Sequence, residues 1–167
     1  MSSNTPVEII VHHDGVSRSG PSLQIINDFH RTRDFPISAL GFYVGYHYLI
    51  ERDGLIIQTR REDEEGAHCI GHNFKSVGIG LAGNFDVETP TLYQITALGK
   101  LVTDIRYRWT IEVHAIVPHR LYAQKTCYGS LLSDHWAAIV GLKHELSVIM
   151  EKIALLQSLK SSAKTSP

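Results

Sequence analysis

The sequence predicts an α/β fold of the mixed α+β kind: a central mixed β-sheet flanked by helices, with an extra C-terminal helix. Three observations lead there. Short β-branched runs alternate with segments whose apolar residues recur at helical spacing. An Arg52-Asp53-Gly54 turn joins two of the runs as a hairpin, because Asp-Gly supplies the positive φ that a tight turn needs. A chain of 167 residues, 43% hydrophobic and 20% charged, has the size and composition of one ordinary globular domain.

Taken in order, Val7 to His12 is rich in β-branched residues and reads as a buried strand. Asp14 to Pro21 is a Gly/Ser/Pro loop, and Leu23 to Thr32 reads as a helix with Leu23, Ile26 and Phe29 on its apolar face. Val44 to Glu51 and Leu55 to Thr59 are the two arms of the hairpin, and the charge run Arg60 to Glu65 reads as a solvated loop. Val77 to Ala82 is a further strand. Thr89-Pro90 opens a long helix, with Thr as N-cap and Pro at the first helical position, and the apolar face runs through about Arg108. His114 to Val117 is a strand ended by Pro118. A last helical region runs from Ser133 towards Lys160, with an interruption expected near Gly141. Leu142, Leu146, Ile149, Ile153 and Leu156 follow a 4-3-4 spacing, which suits a helix packed on its own domain or, as the competing reading, the seam of a homodimer. The organisation expected is a main domain over 1–140, a helical extension of it over 141–160 and a disordered tail over 161–167.

Charge and cysteine content exclude several classes. A formal net charge of −1 lacks the basic footprint of a dedicated nucleic-acid binder. No apolar run approaches the roughly 18 residues that span a bilayer, and Met1 to Pro6 shows neither the basic nor the apolar region of an export signal. Two cysteines, Cys69 and Cys127, make no disulfide framework. Ten histidines, by contrast, raise a metal-or-catalysis question, since imidazole is the commonest metal ligand.

One motif is a decoy. Gly78-Ile79-Gly80-Leu81-Ala82-Gly83 matches the G-x-G-x-x-G of dinucleotide folds, but there the glycines follow a strand and a helix begins within the motif. Here they alternate with Ile and Leu inside the strand, and no helical pattern starts before Thr89. Glycines in a strand interior mark the close approach of a neighbouring group.

His119 and Cys127 lie eight residues apart on either side of a turn-like segment, with Lys125 two before the cysteine. His12 stands where the first strand ends. Catalytic zinc takes three protein ligands from His, Cys and carboxylates and leaves a fourth position for water. Two neutral imidazoles and one thiolate would leave such a site near +1, which favours a bound hydroxide. Ten histidines nevertheless offer many triples, and His12 and His13 point to opposite, equally buried faces of their strand, so periodicity does not choose between them.

Residue order narrows the choice. Ile9 to His13, Gly45-Tyr46-His47-Tyr48 through Gly54, Gly66-Ala67-His68-Cys69 with Gly71-His72-Asn73, Ser76 to Gly83, Thr89-Pro90 and His119 to Cys127 resemble, in one order over residues 7 to 135, the zinc-dependent N-acetylmuramoyl-L-alanine amidases of the peptidoglycan-recognition and phage-lysozyme (type 2 amidase) family. The resemblance implies Zn²⁺ on His12, His119 and Cys127, catalytic roles for Tyr46 and Lys125, and a mixed sheet with the metal at the floor of a substrate groove. It also suggests substrate contact by His68 and Asn73, against a loop-stabilising role for His68. The substrate implied is the amide between N-acetylmuramic acid and the first L-alanine of the peptidoglycan stem. His13, His47 and Cys69 are expected to be structural, His30, His135 and His144 surface or helix residues, and a Cys69–Cys127 bridge would abolish the site.

The resemblance leaves four functional classes, the last of them a different amide hydrolase that uses the same scaffold. The leading one is an endolysin of a phage or prophage, made in the cytoplasm and reaching the wall through membrane lesions or by injection. A cytoplasmic amidase recycling anhydro-muropeptides is the second, although that branch uses an aspartate as third ligand. A non-catalytic peptidoglycan-binding module is the third, although such relatives generally lack the cysteine.

Overall fold

Glu8–His13 has no exposed residue and forms β1, hydrogen-bonded to a strand on each side. A parallel strand covered on both faces reads as a continuous apolar run, which is why Ile9-Ile10-Val11 shows no alternation. The computed structural model describes residues 3–164, with side chains described through residue 160. The elements that follow are α1 (Leu23–Arg31), β2 (Tyr48–Ile50), β3 (Ile56–Gln58), β4 (Ser76–Leu81), α2 (Leu92–Trp109), β5 (Ile116–Pro118) and α3 (Trp136–Lys164), with 3-10 turns at Val113–Ala115 and His119–Leu121. The sheet order is β3-β2-β4-β1-β5. Strands β2, β4, β1 and β5 are parallel, and β3 is the antiparallel edge supplied by the hairpin. This is the mixed sheet with flanking helices that the sequence predicts.

The two faces of the sheet differ in content. Ile9 and Val11 of β1, Tyr48 and Ile50 of β2, and Val77, Ile79 and Leu81 of β4 pack with Leu98, Leu101, Val102 and Ile105 of α2 and with the start of α3. Alternation turns Ile10, His12, Leu49, Gly78 and Gly80 to the other face. Ile10 packs there with Cys69 and Val117, and Leu49 with Ile26 of α1 and Val44. Register sets His12 beside Gly80, and Gly80 beside Leu49, so a row across the centre of this face holds one imidazole next to a residue without a side chain.

Several boundaries differ from expectation for physical reasons. The N-cap of α2 is Thr91, not Thr89: its hydroxyl accepts from Gln94 N–H while the Gln94 side chain accepts from Thr91 N–H, a full capping box two residues later. Helix α3 runs without interruption through Gly141. A Cβ there would lie 2.9 Å from Val102 Cγ1, so the glycine lets α2 and α3 approach closely instead of breaking the helix. α3 starts at Trp136 and reaches Lys164, beyond the Lys160 expected; residues 165–167 of the expected tail lie outside the described residues. The seam Leu142, Leu146, Ile149, Ile153 and Leu156 faces solvent, each residue 44–59% exposed, so it is not packed on its own domain.

The charge run is the largest departure. Arg60, Glu62 and Glu64 are buried, and only the alternate residues Arg61 and Asp63 face water. Arg60 pairs with Glu64 at 2.8 Å and donates to the carbonyls of Pro36 and Val44. Glu62 accepts from Tyr48 Oη, Arg108 and Trp109 Nε1. Every residue from Arg60 to Glu65 is charged, so the sequence carries no alternation that would separate the buried members from the exposed ones.

Candidate active site

The row across the open face carries the site. His12 is buried at the end of β1, and Cys127 Sγ comes within 3.8 Å of its Nδ1 from the loop that follows β5. His119 enters from the 3-10 turn immediately after Pro118, its ring centroid 4.4 Å from that of His12. Nδ1 or Nε2 of the two histidines and the thiol sulfur lie within 4.8 Å of one another, close enough to hold one metal ion. The three predicted ligands are thus the three that the fold gathers. They line a cavity of about 560 Å³ together with Tyr46, His68 and Lys125.

The donor set suits a metal. Burial holds His12 well below the usual imidazole range, with the nearby His68 and His119 adding to the effect. Burial and the Lys125 ammonium bring His119 down to about 4. Both rings are therefore neutral and keep a lone pair at physiological pH. Burial pushes the Cys127 thiol up to about 12 despite its contact with the His13 carbonyl and the proximity of Lys125. A cation in the cluster is what would favour the thiolate. Cys69 is also a free, buried thiol, and no bridge joins the two.

Tyr46 stands beside His12 with ring centroids 5.0 Å apart. Burial pushes its phenol far above the usual tyrosine range, with Cys127 and Asp14 adding to it, so the hydroxyl remains a hydrogen-bond donor. Its ring fills the space over Gly80, where a Cβ would lie 2.5 Å from Tyr46 Cδ2. The dinucleotide-like glycines thus serve the close approach that their place in a strand predicts. Lys125 is exposed at the rim of the cavity, on the same loop as Cys127.

Residues 2–130 of this chain match the Amidase_2 family, N-acetylmuramoyl-L-alanine amidase. The chain belongs to this family. A curated relative is peptidoglycan-recognition protein SC2 of Drosophila melanogaster, 29% identical over 123 residues that cover 72% of this chain and 67% of that one. Another is an endolysin of Klebsiella phage KP32, 34% identical over 100 residues, 56% of this chain and 64% of the phage protein. The chain thus spans about two thirds of the length of these relatives. Among solved structures, N-acetylmuramoyl-L-alanine amidase LysC from Clostridium intestinale URNW superposes with a TM-score of 0.67 at 29% identity, covering 77% of this chain and 80% of LysC.

Within this amidase the remaining predicted residues divide. His68 lines the metal cavity, but both ring nitrogens are engaged, Nδ1 with His12 Nε2 at 3.0 Å and Nε2 with Ser76 Oγ at 3.3 Å. Asn73 lines a neighbouring cavity instead, and its side-chain carbonyl accepts from the N–H groups of His68 and Cys69, both at 2.8 Å. His13 points to the helix face and accepts from Phe85 N–H, and His47 is fully buried between Glu64 O and Gly78 N–H, the structural roles expected of both. His114 and His135 are exposed.

The cavity is also lined by Phe29, His30, Arg33 and Phe35, which the sequence does not assign to the site. His30 is buried rather than superficial: its Nδ1 accepts from Gly45 N–H at 3.1 Å, its ring stacks on Phe35, and its edge meets Tyr46. Burial, with Arg33 and Arg60 nearby, brings it down to about 4, so it packs behind Tyr46 as a neutral ring. Phe29, assigned to the inner face of α1, is 56% exposed. Leu23, Ile26 and His30 have the spacing of one helical face, and that was the signal available.

Proposed function

We propose that this chain is a zinc-dependent amidase that cleaves the bond between N-acetylmuramic acid and L-alanine in peptidoglycan, acting as a phage or prophage endolysin. The single observation that carries the reading is the convergence of His12, His119 and Cys127 with Tyr46 and Lys125 on one cavity. Zinc held by such a set lowers the pKa of bound water and polarises a carbonyl oxygen. Tyr46, kept protonated by burial, donates a hydrogen bond to the oxyanion that forms at the amide carbon. Lys125 supplies positive charge at the open side of the cavity, where the leaving amine departs and a proton must reach it. The phage endolysin among the relatives supports action on the cell wall, and no helix among the described residues is long and apolar enough to cross a membrane. Access to the wall through membrane lesions or by injection belongs to this proposal. A homodimer through α3 has the exposed 4-3-4 row of apolar residues as its support, and sedimentation at two concentrations checks it.

The test incubates zinc-loaded protein with purified sacculi and, separately, with soluble anhydro-muropeptide. New L-alanine amino termini released from sacculi are the expected result, and Cys127→Ser should lose zinc and hydrolysis together. Release from the soluble compound alone would favour a recycling enzyme. Binding to both without cleavage would favour a recognition module, and a zinc-free Cys127→Ser protein with full activity would sink the mechanism.

A further inference from the structure

His12 has two ring nitrogens, and a metal can use only the one without a proton. The hydrogen bonds behind the ring decide which that is. Ser76 Oγ lies 2.7 Å from the carbonyl oxygen of His72, so the single hydroxyl proton goes there. Toward His68 Nε2, at 3.3 Å, Ser76 can then only accept, and His68 carries its proton on Nε2. His68 Nδ1 is consequently a lone pair, and it faces His12 Nε2 at 3.0 Å, which must be the donor. That leaves His12 Nδ1 bare, and Nδ1 is the atom that faces Cys127 Sγ.

We propose that His68 is a positioning residue for the metal ligand His12, set by Ser76, and that it holds His12 in the Nε2–H form with Nδ1 turned into the cluster. This rests on the metal-amidase reading above and deepens it. It also replaces direct substrate contact by His68, since both of that ring's nitrogens are spent. The fold is built around the ring. A Cβ on Gly66 would lie 2.5 Å from His68 Cδ2, and one on Gly78 would lie 2.6 Å from both Cδ2 and Cγ, so two glycines hold the imidazole from opposite chain segments. Asn73 clamps the His68 main chain, and the carbonyl that sets Ser76 belongs to His72, itself pinned by Glu8 and stacked on Tyr122. The Gly78 of the dinucleotide-like motif therefore has a purpose: it is the gap through which the His68 imidazole fits beside β4. A hydrogen-bonded partner behind a metal-bound histidine typically accounts for about 10–100-fold in metal affinity.

Two measurements test this. In metal-free wild-type protein at neutral pH, ¹⁵N NMR of the histidine rings should show His12 and His68 both as Nε2–H tautomers; His12 as Nδ1–H would overturn the proposal without any variant being made. Zinc affinity, measured by chelator competition, should fall by about 10–100-fold in His68→Leu. It should recover most of that in His68→Asn, whose carbonyl oxygen sits near the place of Nδ1, and fall again in Gly78→Ala, whose methyl displaces the ring. Wild-type affinity in folded His68→Leu would overturn the proposal. Failure of wild-type protein to bind zinc would instead overturn the zinc reading, and the tautomer of His12 in the metal-free protein would still decide the role of His68.

Discussion

Replacing Gly80 with alanine would set a methyl group 2.5 Å from Cδ2 and 2.6 Å from Cε2 of Tyr46. Carbon atoms rest about 3.5–4.0 Å apart, so something must move by about 1 Å. The strand is the less yielding partner, because Gly80 is held in register between His12 on β1 and Leu49 on β2 at the middle of the sheet. The ring therefore retreats. Overpacking of this kind costs about 1–3 kcal/mol of stability, which urea unfolding reads directly. A catalytic group displaced by about 1 Å costs about 100-fold in rate. Gly80→Ala should thus lose about two orders of magnitude in L-alanine termini released from sacculi while the protein stays folded and its zinc affinity stays at the wild-type value. If Gly80 acts through Tyr46, the double variant with Tyr46→Phe should be no slower than Tyr46→Phe alone, because the two changes remove one contribution. A folded Gly80→Ala protein with wild-type rate, or one whose lost rate is explained by lost zinc, would refute this reasoning.

Two further outcomes concern stability. Glu62→Ala should cost about 2–3 kcal/mol in urea unfolding, since the Tyr48 hydroxyl and the Trp109 indole lose their acceptor. Burial opposes the Glu62 carboxylate, but hydrogen bonds from Tyr48, Trp109 and Arg108 hold it below the ordinary value of 4.5; its contribution is therefore full above that value and lost as pH falls through the lower folded one. His47 shares that preference for the deprotonated form, although for an imidazole it is the neutral one, and its stability runs in the same direction. Burial brings it from 6.5 to about 4, so stability is full above 6.5 and drains as pH falls towards 4, by on the order of 3 kcal/mol. A His47→Gln variant should show a visibly shallower decline of unfolding free energy over that interval, and an unchanged slope would exclude His47 as its source.

Much of the architecture was legible because its signals are local. The hairpin follows from Asp-Gly, and it forms with Gly54 at φ +87°, its N–H donating to Glu51 O while Glu51 N–H donates to Leu55 O. The first arm is shorter than predicted because Gly45 directs its backbone bonds away from the hairpin: its N–H donates to His30 Nδ1 and its O accepts from Ala67 N–H. No run of residues announces a partner that far away in sequence. Gly141 was ambiguous for a related reason. A glycine in a helix either weakens it or admits a neighbour, and which applies depends on Val102 of another helix.

By itself the sequence determined the sheet-and-helix order and the family, and it singled out His12, His119, Cys127, Tyr46 and Lys125 as candidates, since residue type and order along the chain are enough for that. Tertiary structure alone decided what stands behind them. Solvent exposure turned the apolar row of α3 outward, burial drew Arg60, Glu62 and Glu64 inward, and His30 came to rest behind Tyr46. The assignment of His68 needed the most: hydrogen-bond directions among His12, His68, Ser76 and His72, from four positions spread over 64 residues of chain separation, are a property of their arrangement in space, because a proton's place on a ring depends on which neighbour has already used its own.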